Sequence, residues 1–181
     1  MLFRSMSALK KGTRRLVSTS YLNGGMGDGG GCHPRDNIAM SWLSNRLDIG
    51  LNYYDFIMKK REKQTEFLAD LIIEQYNKSQ KPICILGTAF KQNTNIETGS
   101  PAVLLKNLLV NKGYQVETFD PNINSNSNSG EFVCKDMIYF IGCKHDCFLE
   151  YQFLDSCIVI DPHRYIQKEK CKNLIYVGVC Q

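Results

Sequence analysis

A cysteine that directly follows a dense run of glycines is the feature of this 181-residue chain best suited to do chemistry. Residues 24–36 read GGMGDGGGCHPRD, and the proline and charges after Cys32 suit the start of a helix. The positive end of that helix dipole, together with Arg35, favours the reactive thiolate of Cys32. The glycines let main-chain N–H groups approach a substrate and donate to its oxygen atoms. With the carboxylate of Asp36 nearby, this pattern indicates a site of covalent catalysis.

The same stretch has simpler interpretations. Cys32 could be a packed core thiol, and Asp36 could serve only as a partner of the helix dipole. The spacing of Gly25, Gly27 and Gly30 also matches the dinucleotide-binding fingerprint, but that motif needs a preceding strand and a later acidic residue at the end of a second strand. The sequence offers neither, so a pyrophosphate-binding turn is not favoured here.

A second cluster of reactive side chains lies at Cys143, His145 and Cys147. These residues could supply three metal ligands, but a fourth ligand is missing. We therefore expect no metal site.

Composition bounds the class of protein. Hydrophobic residues make up 43% and charged residues 22% of the chain, as in an ordinary soluble globular protein. The net charge of +4 is mild and mixed in sign after residue 27, so no nucleic-acid partner is expected. No apolar run is long enough to span a bilayer, and the eight cysteines are spread along the chain. We expect a cytoplasmic protein with free thiols and no membrane partner.

The first twenty residues contain five basic residues and no acidic one. This composition is typical of a mitochondrial presequence. A basic helix packed on the rest of the protein, or the start of a truncated chain, would have the same composition, so the three interpretations remain open.

Two helices are expected before the chain changes character near Lys81. Residues 34–47 carry apolar residues at helical spacing, with Pro34 at the first helical position and Asp36 in the first turn. A long amphipathic helix follows over residues 55–76.

From residue 83 onward, short apolar runs alternate with a helix and polar loops. Ser100 and Pro101 suit the start of that helix, and Gly113 suits the position just after its end. The runs typical of buried parallel strands are ICILGTAF, YQVETFDP, MIYFIG, CIVIDP and NLIYVGV. This order predicts an α/β fold in which the helical segment precedes a doubly wound, mainly parallel, Rossmann-like sheet.

Ligands of doubly wound sheets bind beyond the carboxyl ends of the strands. Phe90 and Lys91 lie at one such end, and residues 161–164 lie at another. These positions are candidates for substrate binding.

Four separated motifs resemble the UDP-glucose/GDP-mannose dehydrogenase family. They are GGMGDGGGCHPRD before a helix, ILGTAFKQNTNIETGSP at the start of the α/β region, FDP after the next strand, and VIDPHR near the end. The resemblance covers about residues 21–181. It implies NAD-dependent oxidation of the terminal alcohol of a nucleotide sugar such as UDP-glucose to a carboxylate.

The resemblance also implies roles for matching residues. Cys32 matches the nucleophile that forms a thiohemiacetal and then a thioester, and Asp36 matches the aspartate that helps to activate water. Arg35, at a position where many members have lysine, and Thr98, where many have an arginine that contacts NAD, are the implied cofactor contacts. The implied substrate-binding residues are Asn23, Gly24, Gly25, Gly27, Gly29, Phe90, Lys91 and Arg164. Arg164 falls one residue later than the family's arginine, and His163 takes the expected position.

The resemblance divides the chain into a basic segment 1–20, a partial central helical domain 21–80 with the catalytic loop, and a UDP-sugar-binding α/β domain 81–181. The family's N-terminal NAD-binding domain has no counterpart in the sequence. We therefore expect the isolated chain to be inactive and to need a separate NAD-binding half. The helix 55–76 is expected to form a homodimer contact. The alternative function is a non-catalytic remnant that binds a nucleotide sugar or dimerises.

Overall fold

Helices occupy the first half of the chain and a parallel sheet the second half, in a computed structural model that describes residues 2–14, 16, 18–27, 29–123 and 135–177. The α-helices are α1 (Leu2–Leu9), α2 (Cys32–Arg46), α3 (Tyr53–Ser79) and α4 (Pro101–Asn111). The strands are β1 (Ile83–Leu86), β2 (Val116–Phe119), β3 (Ile138–Ile141), β4 (Ile158–Asp161) and β5 (Asn173–Tyr176). Short 3-10 helices span Thr19–Leu22, Asp146–Glu150 and Lys168–Lys170.

The strands of the described part form one parallel sheet in the order β2-β1-β3-β4-β5. In β1, Ile83 lies opposite Val116 of β2 on one side and Ile138 of β3 on the other. Because the chain winds outward in both directions from the β1–β3 pair, the sheet has its switch point between these two strands. The predicted doubly wound parallel sheet is confirmed.

Both faces of the sheet are covered, which explains why its strands are continuous apolar runs. All four residues of β1 and of β3 are buried. Helices α3 and α4 cover one face through Leu68, Ile72, Leu105 and Leu109. On the other face, Phe119 of β2 and Tyr139 of β3 pack in one cluster with Phe148, Tyr151 and Phe153, which follow β3.

Helix α2 begins two residues before its predicted start. Its first residue is Cys32, so Pro34 is the third residue, and Asp36 lies beyond the first turn. The predicted placement of these two residues was therefore wrong. Gly31 already has helical φ and ψ of −74° and −22°, and proline is tolerated in the first turn because its missing N–H would have no helical partner there. The prediction that Cys32 lies at a helix N-terminus is confirmed.

Polar side chains cap the N-termini of α3 and α4, the two helices that pack on the sheet. The Asn52 side chain accepts a hydrogen bond from the Asp55 N–H at 3.0 Å and starts α3. Ser100 accepts from the Ala102 N–H at 3.2 Å and starts α4, with Pro101 at its first position as predicted.

Part of the predicted polar loop at 122–130 lies outside the described residues, as do Asp28, Cys134 and Cys180. The predicted domain boundaries near residues 20 and 81 stay a prediction.

Among the helices of the described part, none combines the length and the apolar character needed to cross a membrane.

Candidate functional site

The glycine-rich loop, residues 24–31, packs main chain to main chain against the segment that follows β1. The Gly30 N–H donates to the Gly99 carbonyl oxygen at 3.1 Å. A Cβ atom on Gly99 would lie 2.3 Å from the Gly30 carbonyl, and one on Gly30 would lie 3.2 Å from the Phe90 ring. Both glycines have positive φ, +89° at Gly30 and +74° at Gly99. These contacts require glycine at both positions.

A cavity of about 750 Å³ lies between this loop, α3 and the carboxyl ends of three strands. Phe90 follows β1, Gly142 and Lys144 follow β3, His163 follows β4, and Gln64 projects from α3. The other lining residues are Asn23, Gly24, Gly25, Met26, Gly27, Gly29 and Pro101. The cavity lies where doubly wound sheets bind ligands, and its size suits a small molecule.

Six of the eight predicted substrate residues, all except Lys91 and Arg164, line this cavity. The Lys91 ammonium lies over the Phe90 ring, 5.2 Å from its centroid. The Arg164 guanidinium lies 5.4 Å from the centroid of the Tyr176 ring. In this structure both cations contact aromatic rings instead of the cavity.

Two side chains set the shape of the glycine loop at the cavity. The Gln64 Nε2 donates to the Gly25 carbonyl at 3.3 Å. Gly27 has a φ of +99°, and a Cβ there would lie 3.3 Å from the Gln64 Oε1. A Cβ on Gly25 would lie 2.9 Å from the His163 Nδ1. The loop therefore follows the cavity wall so closely that His163 leaves no room for a side chain at residue 25.

His163 is held in one orientation and one tautomer. Its Nε2 lies 3.2 Å from the Gly142 carbonyl, which can only accept, so Nε2 carries the proton and Nδ1 is an acceptor. The His163 N–H donates to Asp161 Oδ1 at 2.8 Å. Burial lowers the pKa of His163, so the ring is neutral near pH 7.

Beside the cavity, the carboxylate of Asp120 joins the segments that follow β1, β2 and β3. Its Oδ2 accepts from the Thr88 and Ala89 N–H groups, both at 2.8 Å, and lies 3.1 Å from the His145 Nε2. Its Oδ1 accepts from the Asn122 N–H at 2.9 Å. Both Asp120 and His145 are buried.

This pair is ionised at neutral pH. Burial alone would lower the pKa of His145, but its contacts with Asp120 and Cys143 raise it to about 9. Burial alone would raise the pKa of Asp120, but the hydrogen bonds from His145 and the backbone lower it. In the described part of the chain, no three His, Cys, Asp or Glu side chains are grouped as metal ligands.

Cys32 lies at a separate, smaller cavity. It is exposed at the start of α2, and the cavity of about 260 Å³ is lined by Cys32, His33, Asp36, Asn37, Met40 and Tyr54. The Arg35 Nε donates to the Asp36 Oδ1 at 2.7 Å, and this hydrogen bond lowers the pKa of Asp36. Arg35 also interacts with the Cys32 sulfur. Thr98 lies nearby, with its methyl carbon 3.5 Å from where a Cβ on Gly31 would be.

Sequence reasoning missed Gln64 and Lys144. Gln64 carries no local signal, because only the fold brings α3 against the glycine loop. Lys144 could have been found, since it follows β3 just as Phe90 follows β1. The rule about carboxyl ends applies to both strands, but the sequence-based candidates followed only β1 and β4.

The chain is similar in sequence to nucleotide-sugar dehydrogenases. It is 33% identical over 107 residues to a GDP-mannose 6-dehydrogenase of Pseudomonas putida, over 59% of this chain and 24% of that protein. It is 27% identical to a UDP-glucose 6-dehydrogenase of Rickettsia conorii, over 90% of this chain and 43% of that protein. The chain thus spans less than half the length of these relatives. No family model matches it.

The fold is shared with solved structures of the same kind. One is a UDP-glucose dehydrogenase from the archaeon Pyrobaculum islandicum, with a TM-score of 0.79, 19% identity, and coverage of 97% of this chain and 43% of that one. Another is a GDP-mannose dehydrogenase from Pseudomonas aeruginosa, with a TM-score of 0.74, 21% identity, and coverage of 93% and 44%.

Proposed function

The chain belongs to the UDP-glucose/GDP-mannose dehydrogenase family, whose C-terminal region it matches, and we propose that it supplies the nucleotide-sugar site and the cysteine of an NAD-dependent 6-dehydrogenase. The cavity of about 750 Å³ between the glycine loop and the carboxyl edge of the sheet is the observation that carries this proposal. It is concave, near the switch point, and lined by backbone and a few polar groups that could orient a sugar and a nucleotide.

In this proposal the glycine loop connects binding to chemistry. Gly29 lines the larger cavity, and Cys32, three residues later, lines the smaller one. A nucleotide held in the larger cavity would extend its sugar along the loop toward Cys32. The residues proposed to hold it include Phe90, with Lys91 and Arg164 turning from their aromatic contacts to the ligand.

The covalent chemistry belongs to Cys32 and Asp36. The Cys32 thiolate adds to the carbonyl carbon of the aldehyde formed in the first oxidation, and the carbonyl oxygen takes up a proton to give a thiohemiacetal. Loss of a hydride from that carbon and of the hydroxyl proton in the second oxidation gives a thioester. The carboxylate of Asp36, held by a hydrogen bond from the Arg35 Nε at 2.7 Å, accepts a proton from the water that hydrolyses the thioester. Hydrolysis releases the carboxylate product and the free thiol.

NAD would accept the two hydrides of this oxidation, and Arg35 and Thr98 are its proposed contacts. The described sheet itself does not fit a dinucleotide of the ordinary kind. The amides of the turn after β1, Thr88 and Ala89, which would cradle a pyrophosphate, already donate to Asp120 at 2.8 Å. We therefore propose that NAD is held mainly by residues outside this sheet and derive no step through it.

A second candidate function is that of a dimerising or purely binding protein. Large apolar side chains are exposed on α2, α3 and the turn between them, including Leu51 (82%), Phe56 (62%) and Trp42 (61%). Such a surface favours association, which supports a homodimer through α3.

The described cysteines carry free thiols, which supports a cytoplasmic location.

Calorimetric titration of the chain with UDP-glucose, GDP-mannose, UDP-N-acetylglucosamine and NAD tests the proposal. We expect saturable binding of a nucleotide sugar and no NADH production by the 181 residues alone. Failure to bind any nucleotide sugar would overturn the proposal. If alkylation of Cys32 with a bulky reagent lowers the affinity for the nucleotide sugar, the sugar reaches the thiol. If the site only binds and lies remote from Cys32, the same alkylation leaves the affinity unchanged.

A further inference from the structure

Lys144 places a permanent positive charge at the wall of the larger cavity. Among the described residues that line this cavity, no other is a lysine or arginine and none is a carboxylate. Lys144 is exposed, and within the described part of the chain its ammonium forms no ion pair with a carboxylate, in contrast to Lys172 beside Asp155. A lysine at the wall of a concave site, with no ion-pair partner among the described residues, favours an anionic ligand.

The main-chain donors that usually bind phosphate at a switch point are already in use. Five amides surround the ends of β1 and β3, those of Gly87, Thr88, Ala89, Gly142 and Cys143. The Asp120 carboxylate accepts two of them at 2.8 Å. The carbonyls of Leu86 and Phe119 accept the other three at 2.7 to 3.3 Å. An anion at the ends of β1 and β3 would have to break these bonds to reach any of the five amides, which favours a side chain as its partner there.

The neighbouring His163 does not take this role. Its Nδ1 is an acceptor because Nε2 donates to Gly142, and a neutral acceptor repels a phosphate oxygen while it accepts from a hydroxyl group. Lys144 itself adds to the effect of burial in lowering the pKa of His163. The two side chains therefore offer different contacts from adjacent strand ends, a cation from Lys144 and an acceptor from His163.

We infer that the Lys144 ammonium binds the diphosphate of the nucleotide ligand at the end of β3, in place of the main-chain amides that the fold has used elsewhere. This inference rests on the proposed function insofar as the ligand is a nucleotide sugar. The chemistry that Lys144 recognises is that of a nucleoside diphosphate, and the His163 Nδ1 beside it suits a hydroxyl of the attached sugar.

Binding of uridine, UMP, UDP and UDP-glucose to the wild-type chain and to Lys144→Met tests the inference. We expect the wild type to gain affinity from uridine to UDP, and the variant to lose about tenfold or more in UDP affinity, as for a lost charged hydrogen bond, while its uridine affinity stays the same. The UDP affinity of the wild type should also fall more steeply with salt than that of the variant.

Two control variants separate charge from folding. Lys144→Arg keeps the charge and should retain most of the UDP affinity. Lys172→Ala removes a lysine beside the amino end of β5, at the opposite edge of the sheet, and should not change binding. Thermal unfolding of each variant checks that the exposed Lys144 can be replaced without loss of the fold.

The outcomes also separate this inference from the proposed function. If the wild type binds UDP-glucose and Lys144→Met keeps its full UDP affinity, the inference is wrong and the proposed function stands. If no nucleotide sugar binds but inorganic pyrophosphate binds in a way that depends on Lys144, the anion site stands without the proposed function. If neither binds, both are overturned.

Discussion

The buried imidazole of His145 lies 3.1 Å from the buried carboxylate of Asp120, across the carboxyl edge of the sheet. The same carboxylate accepts hydrogen bonds from amides that follow β1 and β2. This pair thus joins three strand ends beside the larger cavity, and its charge state should affect both stability and the shape of the site.

Asp120→Ala should lower the free energy of unfolding by about 3–5 kcal/mol. The substitution leaves the buried His145 charge without its partner and three amides without an acceptor. Urea unfolding measures the loss. Asp155→Ala, which removes the exposed partner of Lys172, is the matched control and should cost less than about 1 kcal/mol. Equal effects of the two substitutions would contradict the role given to Asp120.

Stability should also depend on the pH through His145. Its folded pKa of about 9 lies above the ordinary value of 6.5, so its stabilising contribution is fully present below pH 6.5 and is lost as the pH rises through 9. The contribution of Asp120, whose folded pKa is lowered, is present above its ordinary pKa of 3.8 and is lost as the pH falls through the folded value. The pair therefore stabilises the folded chain most between about pH 3.8 and pH 6.5, where both contributions are fully present.

The free energy of unfolding of the wild type and of His145→Gln, measured at pH 6 and pH 10, separates the contribution of His145 from that of other titrating groups. We expect the difference between the two proteins to be larger at pH 6, by on the order of 3 kcal/mol, since one pKa unit corresponds to about 1.36 kcal/mol. An equal difference at both pH values would show that His145 does not carry the charge.

Gly25→Ala should weaken binding of a nucleotide sugar by roughly tenfold. Its methyl group would lie 2.9 Å from the His163 Nδ1. Because the His163 Nε2 is hydrogen-bonded to the Gly142 carbonyl, the loop must move away from the cavity wall to make room. Calorimetric titration measures the effect. Gly31→Ala is the control, because Gly31 has a negative φ and its new methyl would make only an ordinary contact at 3.5 Å. Unchanged affinity in both variants would remove residue 25 from the site.

Cys32 should be alkylated first among the described cysteines at neutral pH. It is exposed, whereas Cys84, Cys143, Cys157 and Cys171 are buried, and burial raises the pKa of Cys84 to about 12. Iodoacetamide labelling at two pH values, followed by peptide mapping, measures the rates. Arg35→Met should slow the labelling of Cys32 because it removes the adjacent cation. Faster labelling of Cys143 or Cys147 would contradict the assignment of the nucleophile.

Most of the fold could be predicted from the sequence because its signals are local. The apolar runs at β1 and β3 are buried on both faces, and Ser100 caps α4 as its position indicated. The site could be predicted less completely, because its contacts are tertiary. The sequence explains the glycines by room for a ligand, but Gly30 is required by its contact with Gly99, which only the fold brings near. The pairing of His145 with a distant carboxylate has the same origin.

The central claim is that the cavity between the glycine loop and the carboxyl edge of the sheet binds a nucleotide sugar. Titration of the isotope-labelled chain with UDP-glucose, followed by amide NMR shifts, tests it most directly. We predict saturable shifts at Gly24, Gly25, Gly142 and Lys144, which line the cavity, and unchanged shifts at Asn173 and Leu174, at the amino end of β5. Saturating UDP-glucose that leaves these four amides unshifted, or shifts only residues of the exposed apolar surface on α2 and α3, would contradict the claim.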